Sequence, residues 1–209
     1  MKKNAKCFMV WIAILLTGYT ACCQAIAILE NDKLPVPKLT FEANGQLQIF
    51  PSLSSSKTDF DFFVGKWNLQ NRVLKKKADN TTGWVSFEAT QEMRAILNGM
   101  GNIDNFLAAP DGKSFEGMTL RLFDPKTRLW SIYWADSNFG VLGLPPVVGS
   151  FENKVAHFFS QDVVNEKNVI TVYRWDARDE NNPVWSQALS EDNGETWIWN
   201  WFMHMTKMR

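Results

Sequence analysis

The chain has few of the residues that build most catalytic and metal sites. Its 209 residues contain two histidines and three cysteines, and all three cysteines lie within the first 23 residues. His157 and His204 are too far apart in sequence to form a zinc-ligand motif. The sequence also lacks a Gly-x-Ser-x-Gly elbow and a glycine-rich phosphate loop. These absences exclude the common serine-hydrolase and nucleotide-binding motifs, and we expect no metal site.

An excess of charge of one sign is also absent. The chain carries 22 Lys and Arg against 22 Asp and Glu, and Lys75-Lys76-Lys77 is its longest basic cluster. Nucleic-acid-binding domains usually carry a basic face, so we expect no nucleic-acid partner. No apolar run approaches the length of about 20 residues that a membrane-spanning helix needs.

The N-terminus has the pattern of a secretory signal. Three lysines among the first six residues precede an apolar run at 7–16, which is followed by small and polar residues. We predict a signal peptide at 1–23, whose removal would take every cysteine with it. Alternatively, Thr20-Ala21-Cys22 resembles a lipobox, and Cys22 would then carry a lipid anchor. Either interpretation predicts export to the periplasm or the extracellular space, the second as an outer-membrane lipoprotein.

Two further regions follow the signal. Residues 24–58 are predicted to be an extended spacer, because Pro35 and Pro37 favour extended backbone and several serines add flexibility. Residues 59–209 are predicted to be a single domain with its own core.

The domain shows the alternation of strands and turns that is typical of an all-β protein. Short apolar and aromatic runs are separated by turn residues such as Asp111-Gly112 and Asp192-Asn193-Gly194. We predict a closed antiparallel up-and-down β-barrel of about 8–10 strands, with a β-sandwich as the competing architecture. The predicted strands cover residues 64–74, 83–96, 101–108, 117–123, 129–135, 147–151, 155–159, 168–176, 184–189 and 196–206.

Aromatic residues are abundant, with ten Trp and fifteen Phe, and one Trp lies in an informative motif. Gly65-Lys66-Trp67 follows a Phe-rich turn at the start of the first predicted strand. This motif resembles the entry motif of lipocalins and related calycin barrels. The resemblance implies that Trp67 closes one end of the barrel. It also implies that Lys207 lies across the Trp67 ring, where these families usually have arginine.

Further motifs occur in the same order as in a known family. They are Leu97-Asn98-Gly99, Phe123-Asp124-Pro125 leading to Trp130 and Trp134, and Ser190-x-Asp192-x-Gly194-x-Thr196-Trp197. Together they resemble the exported, lipocalin-like bacterial proteins of the domain-of-unknown-function family DUF1579, over roughly residues 59–207. The resemblance implies a small barrel with a cavity and no particular reaction. The last motif also fits an Asp-box hairpin, which we interpret as structural: Asp192 and Gly194 would build the turn, with Trp197 packed beneath it.

The predicted function is the binding of a small, largely apolar ligand in an aromatic cavity. Strand parity and motif position predict part of the lining: Arg121, Trp130, Tyr133, Trp134, Asp136, Arg174, Gln187 and Trp199. Tyr133 and Trp134 are adjacent, so a regular strand cannot point both inward. An arginine inside the cavity would favour a ligand that carries a carboxylate or phosphate.

Three alternatives are also compatible with the sequence. A hydrolase or isomerase could use an inward Asp/Arg pair in the same cavity, with Asp104, Glu116 and Asp136 as candidate acids if they point inward. A barrel filled by its own side chains would instead be a cell-surface interaction protein. No cofactor is expected, the alternative being haem held through His204. The only membrane contact that we predict is the lipid anchor at Cys22.

Overall fold

The apolar runs between residues 64 and 206 form strands, and these strands close into an antiparallel barrel of ten members. The computed structural model describes residues 34–76, 81–164 and 167–209. The predicted signal peptide, Cys22 and the first part of the predicted spacer lie outside the described residues. Within the described ranges, no helix is long and apolar enough to cross a membrane.

A short hairpin precedes the barrel strands in the chain. Each barrel strand pairs with the next one, and β12 pairs with β3 to close the circle. Short 3-10 turns cover Asp61–Phe63, Leu97–Gly99 and Pro110–Gly112. The strands are β1 (Thr40–Phe41), β2 (Leu47–Gln48), β3 (Gly65–Lys76), β4 (Thr82–Ile96), β5 (Gly101–Ala108), β6 (Phe115–Asp124), β7 (Leu129–Asp136), β8 (Val147–Glu152), β9 (Val155–Val164), β10 (Lys167–Asp176), β11 (Val184–Ser190) and β12 (Ile198–Lys207).

The register of the strands determines which side chains face the interior. Residues directly opposite each other in an antiparallel pair lie on the same face of the sheet. Trp67 is opposite Gln91, Gln91 is opposite Phe106, and Phe106 is opposite Gly117. Because Trp67 and Phe106 are buried core residues, this row and its alternate neighbours form the inner face.

Trp67 lies at the end of the barrel where β3 begins, which we call the closed end. Its side chain is completely buried, and its indole Nε1 donates a hydrogen bond to the Phe63 carbonyl at 2.8 Å. The Lys207 ammonium lies 5.3 Å from the Trp67 ring and donates to the Phe62 carbonyl at 3.3 Å. Trp67 is therefore enclosed at this end of the barrel, with the Lys207 ammonium near its ring.

Residues 34–58, which we call the strap, pack on the outer wall of the barrel. Leu47 N donates to Gln161 Oε1 at 2.9 Å, and Ser52 N donates to Ser150 Oγ at 2.9 Å. Apolar strap residues also cover a cluster on β9 to β12 that contains Phe159, Ile170, Val172 and Ala188. The described part of the predicted spacer thus belongs to the folded unit.

The loop between β11 and β12 is held by Asp192. Its carboxylate accepts hydrogen bonds from Thr196 Oγ1 at 2.6 Å, Thr196 N at 2.9 Å and Ser190 Oγ at 2.8 Å. These bonds, chiefly the one from the Thr196 side chain, lower the pKa of Asp192 to about 2. Gly194 has a φ of +88°, and Trp197 packs against Phe159. The geometry is that of a structural turn.

His157 lies on the outer face of β9, opposite Arg174 of β10 and Ser150 of β8. Burial, with a smaller effect of the Arg174 charge, lowers its pKa to about 4. The unfolded chain binds this proton more readily, so His157 contributes stability above about pH 6.5 that is lost as the pH falls towards about 4.

We expect His157→Leu to reduce the loss of unfolding free energy between about pH 7 and about pH 5, measured by urea titration. His204, whose pKa burial also lowers, leaves a smaller dependence of the same sign in the variant. Equal pH dependence in the two proteins would contradict this assignment.

Candidate functional site

The two halves of the barrel interior differ in packing. Near the closed end, Phe60, Phe63, Trp67, Trp130 and Trp175 are no more than 2% exposed. Five other inward-facing aromatic side chains keep part of their surface accessible. We call this set the aromatic wall, and it consists of Phe87, Trp134, Tyr173, Trp185 and Trp201. The interior aromatic side chains are therefore tightly packed around Trp67, whereas the aromatic wall keeps accessible surface; we call the part of the interior that the wall lines the open half.

Four members of the aromatic wall form a continuous row. The ring centroids of Tyr173 and Trp185 are 5.9 Å apart, and those of Trp185 and Trp201 are 5.5 Å apart. Phe87 continues the row at 6.5 Å from Trp201. The Trp201 indole is fixed by a hydrogen bond from its Nε1 to Asn71 Oδ1 at 3.0 Å. The row presents a rigid apolar surface with few rotatable bonds.

Trp134 lies apart from this row, and Gly117 on β6 makes room for it. A Cβ atom at residue 117 would lie 2.1 Å from the Trp134 ring. The indole Nε1 donates to Asp136 Oδ2 at 3.1 Å, and Asp136 Oδ1 accepts from Asn138 N at 2.9 Å. Asp136 therefore orients the Trp134 ring and anchors the loop that follows β7. The sequence signal for Gly117 is an isolated glycine inside a strand, which often marks such a close approach.

A buried ion pair faces the interior beside the aromatic cluster of the closed end. Arg121 Nη1 donates to Asp104 Oδ2 and, at 3.0 Å, to Asn102 Oδ1. Arg121 and Asp104 are 3% and 2% exposed. The guanidinium carbon lies 5.1 Å from the Phe60 ring centroid and 5.7 Å from that of Trp175. Arg121 is therefore held by a carboxylate, an amide and aromatic faces.

Several buried polar atoms on the inner face have no hydrogen-bond partner among the described residues. They are Asn71 Nδ2, Gln91 Oε1, Asp104 Oδ1 and Arg121 Nε, on the four neighbouring strands β3 to β6. An unsatisfied buried polar atom costs about 1–3 kcal/mol. Native proteins therefore supply such atoms with water or a ligand.

The end opposite Trp67 carries exposed apolar side chains. In the loop between β7 and β8, Phe139, Val141 and Leu144 are 71%, 66% and 70% exposed. Further exposed apolar residues lie at or near the ends of other strands on the same side: Leu107, Val163 and Ile198. A group of exposed apolar residues at one end of a barrel often marks a ligand or interaction site.

The register places five predicted lining residues on the inner face. They are Arg121, Trp130, Trp134, Asp136 and Gln187. Trp130 is buried in the packed closed end, where its Nε1 donates to Asp59 Oδ2 at 3.1 Å. Gln187 donates to Asn200 Oδ1 at 3.1 Å. Arg121, Trp134 and Asp136 thus share the inner face of the neighbouring strands β6 and β7, but only Trp134 and Asp136 are in contact, and Arg121 lies nearer the closed end.

Three predicted lining residues lie on the outer face instead. Tyr133 alternates with the inward Trp134. Arg174 alternates with the inward Tyr173, and it is buried beneath the strap, where its Nη1 donates to the Leu34 carbonyl at 3.0 Å. Trp199 lies 4.0 Å from the Arg174 guanidinium. A register shift at Gln187/Ala188 places Trp201 opposite Gln187 but Trp199 opposite Ala188, so the two tryptophans face opposite sides.

The other candidate residues also divide between the two faces. Asp104 and Asp136 face inward, whereas Glu116 is exposed on the outer face of β6. His204 lies on the outer face of β12, opposite Gln70 of β3, and therefore does not point into the barrel. In the described part of the chain, no group of three or more His, Cys, Asp or Glu side chains could hold a metal ion.

Comparison with known protein families found no family model that matches the chain, and comparison with curated proteins found no match.

Proposed function

We propose that this protein binds a small, largely apolar molecule in the open half of its barrel. The observation that carries the proposal is the accessible aromatic wall inside a closed sheet. A packed protein interior normally leaves no inward aromatic side chain accessible, because burying this surface stabilises the fold. A pre-formed apolar recess with a few converging polar groups is the usual form of a small-molecule site.

Two further features support binding over a barrel that is filled by its own side chains. The exposed apolar residues of the loop between β7 and β8, Phe139, Val141 and Leu144, would offer a hydrophobic ligand a path to the interior. The unpartnered polar atoms of β3 to β6 are available to a bound molecule. We also propose, from the motifs quoted above, that the chain is an exported relative of the DUF1579 and calycin barrels.

Replacing Trp134 by alanine tests the proposed site. We expect the affinity for N-phenyl-1-naphthylamine, a neutral apolar fluorophore, to fall about tenfold, because the ligand would lose much of its contact with one indole. The measurement is a fluorescence titration of the probe with purified protein.

Tyr133→Ala is the matched control, since Tyr133 is the adjacent residue on the outer face. Its affinity for the probe should equal that of the unmodified protein. Equal loss of probe affinity in the two variants, or no loss in Trp134→Ala, would show that Trp134 is not part of the site.

Native mass spectrometry of the purified protein, compared with a denatured control, would give the mass of any ligand that copurifies from the cell.

One observation favours a second candidate, an enzyme that uses an inward Asp/Arg pair. Asp104 and Arg121 form such a pair inside the barrel. Its test is turnover of any ligand that copurifies, followed by mass spectrometry of the incubated complex. Turnover that Asp104→Asn abolishes while the ligand still binds would favour the enzyme.

A further inference from the structure

We infer that the deep end of the site receives a neutral polar group, an alcohol or a carboxamide, rather than a carboxylate or phosphate. The inference rests on the proposed function, since it names the chemistry of the molecule bound there. It concerns three side chains, Gln91, Asp104 and Arg121, which we call the polar floor.

The polar floor is one cluster on the inner face. Asp104 of β5 lies opposite Met93 of β4, and Gln91 is two residues from Met93 on the same face of that strand. Gln91 and Asp104 are therefore diagonal neighbours, a spacing that long polar side chains can bridge. Arg121, on the next strand, contacts Asp104 directly. All three side chains are at least nine-tenths buried.

The charge of Arg121 is already balanced in the floor. Asp104 lies in direct contact with the guanidinium, so an incoming anion would meet a carboxylate beside the cation. The inner face also carries Asp136 and Asp162 farther from the floor. Its lysines are Lys207 at the closed end and, at the opposite end, Lys75 and Lys167, the latter paired with Glu191. An anion placed beside this arginine would lose its hydration without gaining a free cation as partner, because Asp104 already pairs with the guanidinium.

The unpartnered atoms of the polar floor favour a ligand group that both donates and accepts hydrogen bonds. Gln91 Oε1 and Asp104 Oδ1 are acceptors, and Arg121 Nε is a donor; none of the three has a partner within the described ranges. An ionised carboxylate has no proton for the two acceptors. A hydroxyl can donate to one acceptor while accepting from Nε. A primary carboxamide can donate to both acceptors and accept from Nε through its carbonyl oxygen.

The test compares three ligands that share one alkyl chain: decan-1-ol, decanamide and decanoic acid. Each competes with N-phenyl-1-naphthylamine for the unmodified protein at about pH 7, where the acid is ionised. We expect the alcohol and the amide to bind about tenfold more tightly than the acid, since the acid leaves the acceptors unsatisfied.

Gln91→Met provides an independent check with little risk to the fold. The substitution removes an acceptor that has no partner in the described chain and keeps a similar volume. We expect it to reduce the preference for decanamide over decanoic acid by about threefold or more. Gln70→Met, on the outer face of the neighbouring strand, is the matched control and should leave the preference unchanged.

Each outcome has a distinct meaning. Tighter binding of decanoic acid would overturn the inference and favour an acidic ligand. Equal affinities of the three ligands, unchanged in Gln91→Met, would overturn it in favour of a floor satisfied by water. If the probe and all three ligands fail to bind, the proposed function itself fails, and the inference fails with it.

Discussion

Replacing Asp104 by alanine is expected to lower the free energy of unfolding by about 3–5 kcal/mol. The substitution leaves the guanidinium of Arg121, a residue that is only 3% exposed, without its carboxylate. The Asn102 amide and the neighbouring aromatic rings remain, but they do not neutralise a full charge. Urea unfolding followed by tryptophan fluorescence measures the loss.

A double variant separates the cost of an unpaired charge from the loss of packing. Asp104→Leu combined with Arg121→Met replaces both charges with apolar groups, and we expect it to be more stable than Asp104→Ala. Glu92→Ala is the control for an exposed ion pair, because Glu92 and Lys66 are 59% and 63% exposed and 3.7 Å apart. If Asp104→Ala lowers the free energy of unfolding no more than Glu92→Ala does, the buried pair is not important for the fold.

Replacing Trp67 by alanine is expected to lower the free energy of unfolding by about 3–5 kcal/mol, the range typical of removing a buried tryptophan side chain. The indole is completely enclosed, and its loss removes the hydrogen bond to Phe63 and leaves a cavity at the closed end. The cation–π contact with Lys207 disappears as well. Thermal unfolding monitored by circular dichroism provides the measurement.

Trp84→Ala serves as the comparison for Trp67. Trp84 lies on the outer face of β4, half-buried beside Arg72 and Phe202. Its removal should cost clearly less than that of Trp67, since solvent can fill the space that the ring leaves. Similar costs would mean that Trp67 does not have the special role of closing the barrel.

Most of the fold follows from local sequence signals. Asp, Asn, Gly and Pro clusters separate the apolar runs, and ten predicted strands correspond to ten barrel strands. The boundaries differ by a few residues in several places: β9 reaches Val164 although the apolar run ends at residue 159. The pairing of β12 with β3, in which Lys207 lies opposite Trp67, is what distinguishes a barrel from a sandwich. No local sequence pattern predicts that pairing.

The candidate site is less predictable, because the alternation of faces is lost on β10. Val169, Ile170, Thr171 and Val172 are all buried. The interior covers one face of the strand and the strap covers the other, so parity alone cannot decide between Tyr173 and Arg174. On β12, the irregularity near Asn200 reverses the facing of Trp199 relative to Trp201, although their spacing is that of one face. On β6 and β7 the alternation persists, and Arg121, Trp134 and Asp136 face inward as predicted.

The pairing of the final strand with the first barrel strand also governs how the protein reaches its native state. All other strand pairs in the barrel join neighbours in sequence, so hairpins can form as soon as both members have been synthesised. The β12–β3 seam brings residues from opposite ends of the domain together, and loop-closure entropy makes such a contact slow to form. Until then, β3 and β12 both present unpaired edges that can pair with another chain. A nascent chain in which residues 198–207 have not yet emerged therefore cannot complete the barrel.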